Sequence, residues 1–470
     1  MMWNFKQHAD HLAALTDQGD RLTYGQLDAA AGQLARQVGR RCLVFALCTN
    51  SFGSLVAYTG MITHRIVPLL LDSHLDQDLL RYLIDTYRPS YLWVPEAMTA
   101  RFPTCRTIYR DFAYCLVDTG LDQPYPLADE LALLLTTSGS TGSPKLVRLS
   151  YENLAANTGS IVTYLQLDAS EKPITTLPMN YTYGLSIINS HLAVGATLLL
   201  TDKTLMEKGF WSFFKEQGAT SFGGVPYTYE MLDKLRFFRM DLGSLRTMTQ
   251  AGGKLSPELH RKFAEYAQAG GKRFIVMYGQ TEATARMAYL PFEKSLEKCG
   301  SMGIAIPGGR FSLIDAEGGE IREPGVTGEL VYWGPNVSLG YAEAGTDLSK
   351  GDENRGCLVT GDMAQVDADG YYTIVGRKKR FLKIFGNRVN LDETERMIKA
   401  QFADIECACA GVDDRMFIFI APVRSTDEIR KFVSEKTGLN PVAFTVAAID
   451  AIPKNESGKT LYRALEAYYN

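Results

Sequence analysis

Short runs of purely apolar residues alternate with stretches of helical spacing along the first two hundred positions. Residues 43–47 and 66–71 (Ile-Val-Pro-Leu-Leu-Leu) are continuous apolar runs. Strands covered on both faces need such runs, whereas half-solvated strands alternate, so the pattern predicts parallel α/β layering. Asp72 to Asp85 has helical periodicity through Leu75, Leu79, Leu80 and Leu83. Residues 9–38 read as a helical opening, and 101–130 as irregular and turn-rich. Residues 131–135 return to a buried strand, with a second strand at 146–149. Ser150 is placed to cap a helix whose apolar stripe is Leu154, Ile161 and Leu165. A helical run follows Tyr181 and ends at Gly195-Ala196, before a strand at 197–200. Residues 219–233 read as a strand-to-helix turn, 274–277 as a strand, and 300–345 as alternating strands and Gly/Pro turns of an antiparallel β subdomain. Further on come a hairpin signal at 367–370 and a helix capped by Asn390, with Leu391, Ile398 and Phe402 as its stripe.

Composition narrows the possibilities. With 470 residues the chain is long enough for two to four domains, and 46% hydrophobic residues suffice for more than one core. A net charge of −4 leaves no basic footprint, which argues against nucleic acid as the partner. No apolar run approaches the roughly eighteen residues of a membrane span. The first residues lack the charged-then-apolar layout of a signal peptide, so a cytoplasmic location is the expectation. The eight cysteines include no Cys-x-x-Cys pair and the six histidines have no ligand spacing. Reduced core thiols are expected, and no structural zinc.

Chemistry concentrates in a few stretches. The strand at 131–135 runs into Thr136, Thr137, Ser138, Gly139, Ser140, Thr141, Gly142, Ser143, Pro144 and Lys145. Backbone N–H groups, hydroxyls and one ammonium converge there without side-chain bulk, which suits a polyanion. The loop is not a Walker A sequence, because Ser143 and Pro144 separate Gly142 from Lys145 and a strand follows. The alternative is a plain surface turn. Tyr278-Gly279-Gln280-Thr281-Glu282 follows an apolar strand and offers a π-face, a hydroxyl and a hard oxygen ligand. Gln250-Ala251-Gly252-Gly253 permits backbone contact along a flat ligand, or is an ordinary turn. Tyr181 and Tyr183 either line a pocket or pack in the core. Asp362 is able to accept from both ribose hydroxyls. Arg377, Lys378, Lys379, Arg380 and Lys383 form a basic cluster, and the chain closes on Pro453-Lys454-Asn455-Glu456-Ser457-Gly458-Lys459.

In this order, these stretches resemble the adenylate-forming superfamily: acyl-CoA ligases, luciferases and the adenylation domains of peptide synthetases. The likeness is nearest to stand-alone acyl-activating AMP-dependent ligases. It implies an α/β fold, with a large N-terminal domain of layered α/β sheets plus a distorted β-barrel over residues 1–378. A small mobile α+β domain would occupy 379–470. It assigns the Thr/Ser/Gly loop to the ATP phosphates, Gly252, Gly253 and Tyr278 to adenine, Gly279 to the nucleotide, and Asp362 and Arg377 to ribose. Thr281 would meet the α-phosphate and Glu282 would hold Mg²⁺. Tyr181, Tyr183, Gly184, Gly224 and Gln250 would border the acid. Lys379 would be the interdomain hinge and Lys459 the catalytic ammonium.

A carboxylate and a triphosphate repel each other, so joining them needs charge neutralisation and placement more than acid–base chemistry. The expected activity is activation of a small carboxylic acid as an acyl adenylate. Transfer to a thiol follows, on CoA or on the phosphopantetheine of a carrier protein. Rotation about Lys379 would withdraw Lys459 and bring Lys383 to Asn387 into the site. Amino-acid-activating relatives place Asp where Tyr181 stands. A buried ammonium without a partner costs several kcal/mol, so an amino acid substrate is disfavoured. Loading of an amino acid onto a carrier protein, acyl transfer to an amine, and a non-catalytic nucleotide-binding module are the alternatives.

Overall fold

The computed structural model describes residues 2–136, 145–385, 387–422, 425–454 and 460–469. They fall into two compact units. One comprises the described residues up to Arg310 together with Tyr332–Leu358; the other comprises Phe311–Val331 and the residues from Val359 onward.

The first unit is built on three sheets. Its largest has eight strands, in the spatial order 340–342, 146–150, 131–136, 67–72, 43–48, 91–95, 114–118, 106–111. The four central strands run parallel, and antiparallel strands flank them on both sides. Both faces are covered, as the unbroken apolar runs require. Val44, Ala46, Leu70 and Leu133 face one core, while Leu43, Phe45, Leu69 and Leu134 face another. A second sheet has three parallel strands, Ser221–Gly224, Thr247–Gln250 and Arg273–Tyr278, continued antiparallel by 288–289 and 304–305. The helix Tyr151–Leu165 starts where the sequence indicates. Ser150 Oγ accepts from Asn153 N and Asn153 Oδ1 accepts from Ser150 N, and Leu154, Ile161 and Leu165 are buried.

Two expectations are corrected. Residues 9–38 begin with two strands, Leu12–Thr16 and Arg21–Thr23, before the helix Tyr24–Val38. The first of them pairs in parallel with Leu198–Leu200, far along the chain, and tertiary pairing of that kind leaves no local periodicity. Residues 101–130 contain the hairpin Arg106–Asp111 and Tyr114–Asp118. Its turn puts Phe112 and Ala113 at φ 46° and 58°. Asn-Gly normally announces that backbone, so the usual turn signal is missing.

The strand Cys357–Val366, whose residues from Val359 belong to the second unit, pairs antiparallel with Tyr372–Arg377 through the expected turn, which sets Asp362 opposite Arg377. A three-stranded sheet, 406–412, 415–421 and 444–448, packs with the helices Leu391–Gln401 and Thr426–Thr437. Cys407 and Cys409 face one core, and Ala408 and Ala410 the other. All eight cysteines are free thiols. Asn390 Oδ1 accepts from Asp392 N and Glu393 N, and Leu391, Ile398 and Phe402 are buried as their spacing indicates. Among the described residues no helix is long and apolar enough to cross a membrane, and no cluster of three metal-ligating side chains occurs.

Ser150→Ala removes a cap in a buried setting and is expected to lower unfolding free energy by about 1 kcal/mol, measured by denaturant titration. Two histidines give the first unit an acid sensitivity. His260 accepts from Gly300 N at Nδ1 and donates from Nε2 to Ser295, and burial lowers its pKa to about 4. His191, held by the Ile187 carbonyl, is likewise lowered to about 4 by burial. Both are neutral when folded and take up protons on unfolding once the pH falls below the ordinary value near 6.5. Their stability contribution is therefore complete above pH 6.5 and lost as the pH drops toward 4. The combined slope approaches about 2.7 kcal/mol per pH unit. Urea titrations across pH 4–7 check this, and His260→Gln should flatten the profile.

Candidate active site

Three loops leave the same edge of the second sheet, because the strands that feed them run parallel and in register. Gly224 stands beside Gln250, and Gln250 beside Val276. The carboxyl ends of parallel strands are where open α/β sheets bind ligands. Gly224 leads into the turn before the helix Pro226–Lys234, and Gln250 leads into Ala251, Gly252 and Gly253. Tyr278 leads into Gly279 and the tight turn Thr281–Ala283.

The glycine requirement differs between these loops. Gly252 has φ 84°, and a Cβ there would come within 2.6 Å of the Tyr181 hydroxyl. That contact brings the stretch assigned to adenine against the stretch assigned to the acid. At Gly279 a Cβ would lie 1.6 Å from the Ala285 carbonyl oxygen, so no side chain fits while the loop keeps its path.

Beyond the turn, Thr284 and Ala285 take φ of 53° and 89°. Strained residues of this kind persist where the surroundings over-determine them. Here Asn336 does so. Its Nδ2 donates to the carbonyls of Ala283 (2.8 Å) and Arg286 (3.1 Å), and its backbone carbonyl accepts from Thr284 Oγ1 at 2.7 Å. Glu282 is aimed from both ends: Ser338 N donates to its backbone carbonyl, and the Tyr341 hydroxyl donates to Oε1 at 2.7 Å. Burial, and then the Glu282 carboxylate, raise the Tyr341 pKa, which keeps that donor in place. Lys145, at the exit of the Thr/Ser/Gly loop, lies 2.5 Å from Glu343 and 5.8 Å from the Tyr341 ring centre. Strand 340–342 thus ties Glu282 to Lys145. Thr137, Ser138, Gly139, Ser140, Thr141 and Gly142 lie outside the described residues.

On the acid side, Tyr183 is fully buried and its hydroxyl meets Thr249 Oγ1 at 2.8 Å. Tyr181 stands edge-on to it, with ring centres 6.3 Å apart, and burial raises its pKa to about 12. Gly184 packs its backbone against the Pro178 carbonyl. Gln250 is 1% exposed, and its Nε2 donates to the carbonyls of Ala251 and Gly253. Its Oε1 has no hydrogen-bond partner among the described residues. A buried acceptor left open is costly unless a ligand donates to it.

In the second unit Asp362 is buried, and Arg377 Nε lies 3.1 Å from its carboxylate across the hairpin. The two residues assigned to ribose are therefore neighbours. Lys378 reaches Glu329 at 2.6 Å, and Arg380 joins Asp392 and Glu395. The side chains of Lys379 and Lys383 and the whole of Lys459 lie outside the described residues.

The sequence profile of the AMP-binding enzymes matches residues 2–342. The chain belongs to the AMP-binding enzyme family. Similar proteins include an oxalate–CoA ligase of Arabidopsis thaliana, 29% identical over 73% of this chain and 68% of the relative. Another is the peroxisomal OPC-8:0-CoA ligase 1 of the same plant, 30% identical over 72% of this chain and 64% of the relative. A sulfoacetate–CoA ligase of Cupriavidus necator is 29% identical over 85% and 81%. The chain thus matches only about two thirds of the length of the two plant proteins. Among solved structures, o-succinylbenzoate CoA synthetase of Bacillus subtilis with its acyl-adenylate intermediate has a TM-score of 0.80 at 20% identity, covering 98% and 97% of the two chains. ATP-bound MatB of Rhodopseudomonas palustris gives 0.77 at 23% identity, covering 98% and 96%. The fold is that of adenylate-forming enzymes, a larger N-terminal and a smaller C-terminal domain of mixed α/β structure.

Asn336, Tyr341 and Arg286 were not singled out from the sequence. Asn336 sits in a Gly-Pro-Asn turn that reads as plain punctuation, and Tyr341 in a strand with no motif. Only the apolar surroundings of a charged residue in Thr284-Ala285-Arg286-Met287-Ala288 hinted at Arg286. Gly279→Ala is expected to cost about 3 kcal/mol or more in stability and to weaken ATP binding in equilibrium dialysis. Gly159→Ala, in a helix with open space around it, is the control and should leave both unchanged or raise stability slightly.

Proposed function

We propose that the chain is an AMP-forming acid–thiol ligase: it joins a small carboxylic acid to the α-phosphate of ATP and passes the acyl group to a thiol. The observation that carries this reading is the shared edge of the three parallel strands. From it emerge the Thr281–Glu282 turn and the Gly252 loop, Gly252 abuts Tyr181, and Tyr341 links Glu282 to the lysine that closes the phosphate loop.

Each group has a task in that reaction. Residues 137–142 and Lys145 cradle the triphosphate, Tyr278 and the Gly252-Gly253 backbone border adenine, and Asp362 and Arg377 take the ribose. Glu282 is fit to hold Mg²⁺: it is a hard carboxylate oriented by Tyr341, with no lysine or arginine paired to it among the described residues. Bound there, the ion would neutralise phosphate charge. Thr281 donates its hydroxyl to the α-phosphate, and Gln250 Oε1 accepts from the ligand. Residues 379–470 act as the small domain, with Lys379 as hinge. Lys459 bridges the two anions and then withdraws. Position 181 carries a tyrosine, which supplies no charge to meet an ammonium, and this favours a simple acid over an amino acid.

CoA is the acceptor that the named relatives support. Carrier-bound phosphopantetheine has the same thiol and differs only in what bears it. The cytoplasm, where ATP and CoA meet, is the assigned location.

Release of AMP and pyrophosphate across a carboxylic acid panel tests the activity. Lys459→Ala is expected to lower adenylation by roughly 10²- to 10³-fold, the usual effect of losing one preorganised charged donor. Thiolysis of a synthetic acyl adenylate should be nearly unaffected. Equal loss of both steps would contradict the rotation.

A further inference from the structure

Arg286 is 1% exposed, and no carboxylate pairs with it among the described residues. Its partners are neutral. Nε donates to Ser186 Oγ at 3.0 Å, Nη1 donates to the Tyr164 hydroxyl at 3.0 Å and to Met277 Sδ at 3.2 Å, and the guanidinium lies 5.2 Å from the Tyr183 ring centre. Nη2 makes no hydrogen bond among the described residues.

The buried Arg148 and the largely covered Arg380 are treated differently. Arg148 bonds the Glu353 carboxylate and the carbonyls of Leu339, Tyr341 and Lys350. Arg380 meets both Asp392 and Glu395. Buried charges are retained in proteins when paired, because an uncompensated one is strongly destabilising. Carboxylates therefore compensate the buried Arg148 and the largely covered Arg380, whereas the third guanidinium is left among hydroxyls, a thioether and an aromatic face.

The place of this third guanidinium explains the exception. Arg286 follows Thr281 by five residues and Glu282 by four, on the loop that Asn336 clamps. It lies against Tyr183, Tyr183 stands edge-on to Tyr181, and the Tyr181 hydroxyl abuts Gly252. A small pocket of about 10 Å³, lined by four leucines as well as by Thr182, Ser186, Asn189 and Thr284, includes its partner Ser186 but not Arg286 itself. The charge thus sits at the inner end of the region proposed for the acid, one aromatic ring beyond Tyr181. A planar guanidinium with an open N–H edge binds a carboxylate or a similar oxyanion in a fork.

Building on the ligase reading above, we propose that Arg286 recognises a second anionic group at the tail of the acid, so that the substrates are short dianionic acids. Five residues of chain reach at most about 17 Å, which bounds the length of such an acid. One carboxylate reacts at the Thr281–Glu282 end, while the other anionic group, a carboxylate or a sulfonate, rests on Arg286.

Matched acids test this with the intact enzyme: butanoate against succinate, pentanoate against glutarate, and benzoate against 3-carboxybenzoate, with 3-sulfopropanoate as the sulfonate arm. The readout is kcat/KM for AMP release. At least one dianionic member is expected to exceed its monoacid partner about 10²-fold or more. Arg286→Met should bring that ratio to within threefold of one, and Arg286→Lys should restore part of it. Preference for 3-sulfopropanoate over succinate would identify the tail as a sulfonate, and the reverse as a carboxylate. Monoacids preferred throughout by the wild type would overturn the proposal, whether or not the variants fold. So would an Arg286→Met enzyme that keeps the wild-type ratio. If no acid of either kind released AMP, the ligase reading itself would fail and this inference with it.

Discussion

The parallel register of strands 221–224, 247–250 and 273–278 is the constraint on which the site rests. Because Gly224, Gln250 and Val276 stand in one row, the three following loops emerge together. A shift of one residue in any strand would reverse which side chains face the core and carry its loop away from the others. Phe222, Met248 and Phe274 are buried side by side, so such a slip would expose apolar surface. Packing of the sheet thereby brings the loops at Gly252 and Thr281 out of one edge, and Gly252 in turn abuts the Tyr181 hydroxyl. Each of these residues belongs to a different stretch of sequence.

The second theme is charge. The proposed reaction presses a carboxylate against a triphosphate, and the site answers with groups that are already fixed before ligand arrives. Asn336 holds a turn containing two residues in left-handed backbone, and Tyr341 orients the Glu282 carboxylate. Donors and dipoles aimed in advance need no reorganisation when charge develops, which is the main reason such sites accelerate reactions. The hydrogen bonds that hold Glu282 are therefore as much a part of the site as Glu282.

How far the sequence speaks depends on the range of the interaction concerned. The covered strands 43–48, 67–72 and 131–136 were legible because burial on both faces writes a continuous apolar run. The caps at Ser150 and Asn390 were legible because a cap is decided within three residues. Leu12–Thr16 was not, since its partner strand lies at Leu198–Leu200 and nothing local marks it. The hairpin turn at Phe112-Ala113 escaped because it lacks the residues that usually adopt positive φ. The motifs from the Thr136–Lys145 loop through Tyr278 and Asp362 to Lys459 carried the family resemblance. Asn336, Tyr341 and Arg286 stayed silent, because each acts through a contact with residues about fifty or more positions away, or across a fold that must first exist.

Oxygen tracing puts the central claim most directly at risk. If the acid attacks the α-phosphate of ATP, one carboxylate oxygen must leave with AMP when the acyl group moves to the thiol. Acid labelled with ¹⁸O in its carboxylate, turned over with ATP, Mg²⁺ and CoA, should yield AMP carrying one ¹⁸O and unlabelled pyrophosphate. Label found in inorganic phosphate, with ADP as the nucleotide product, would contradict the account.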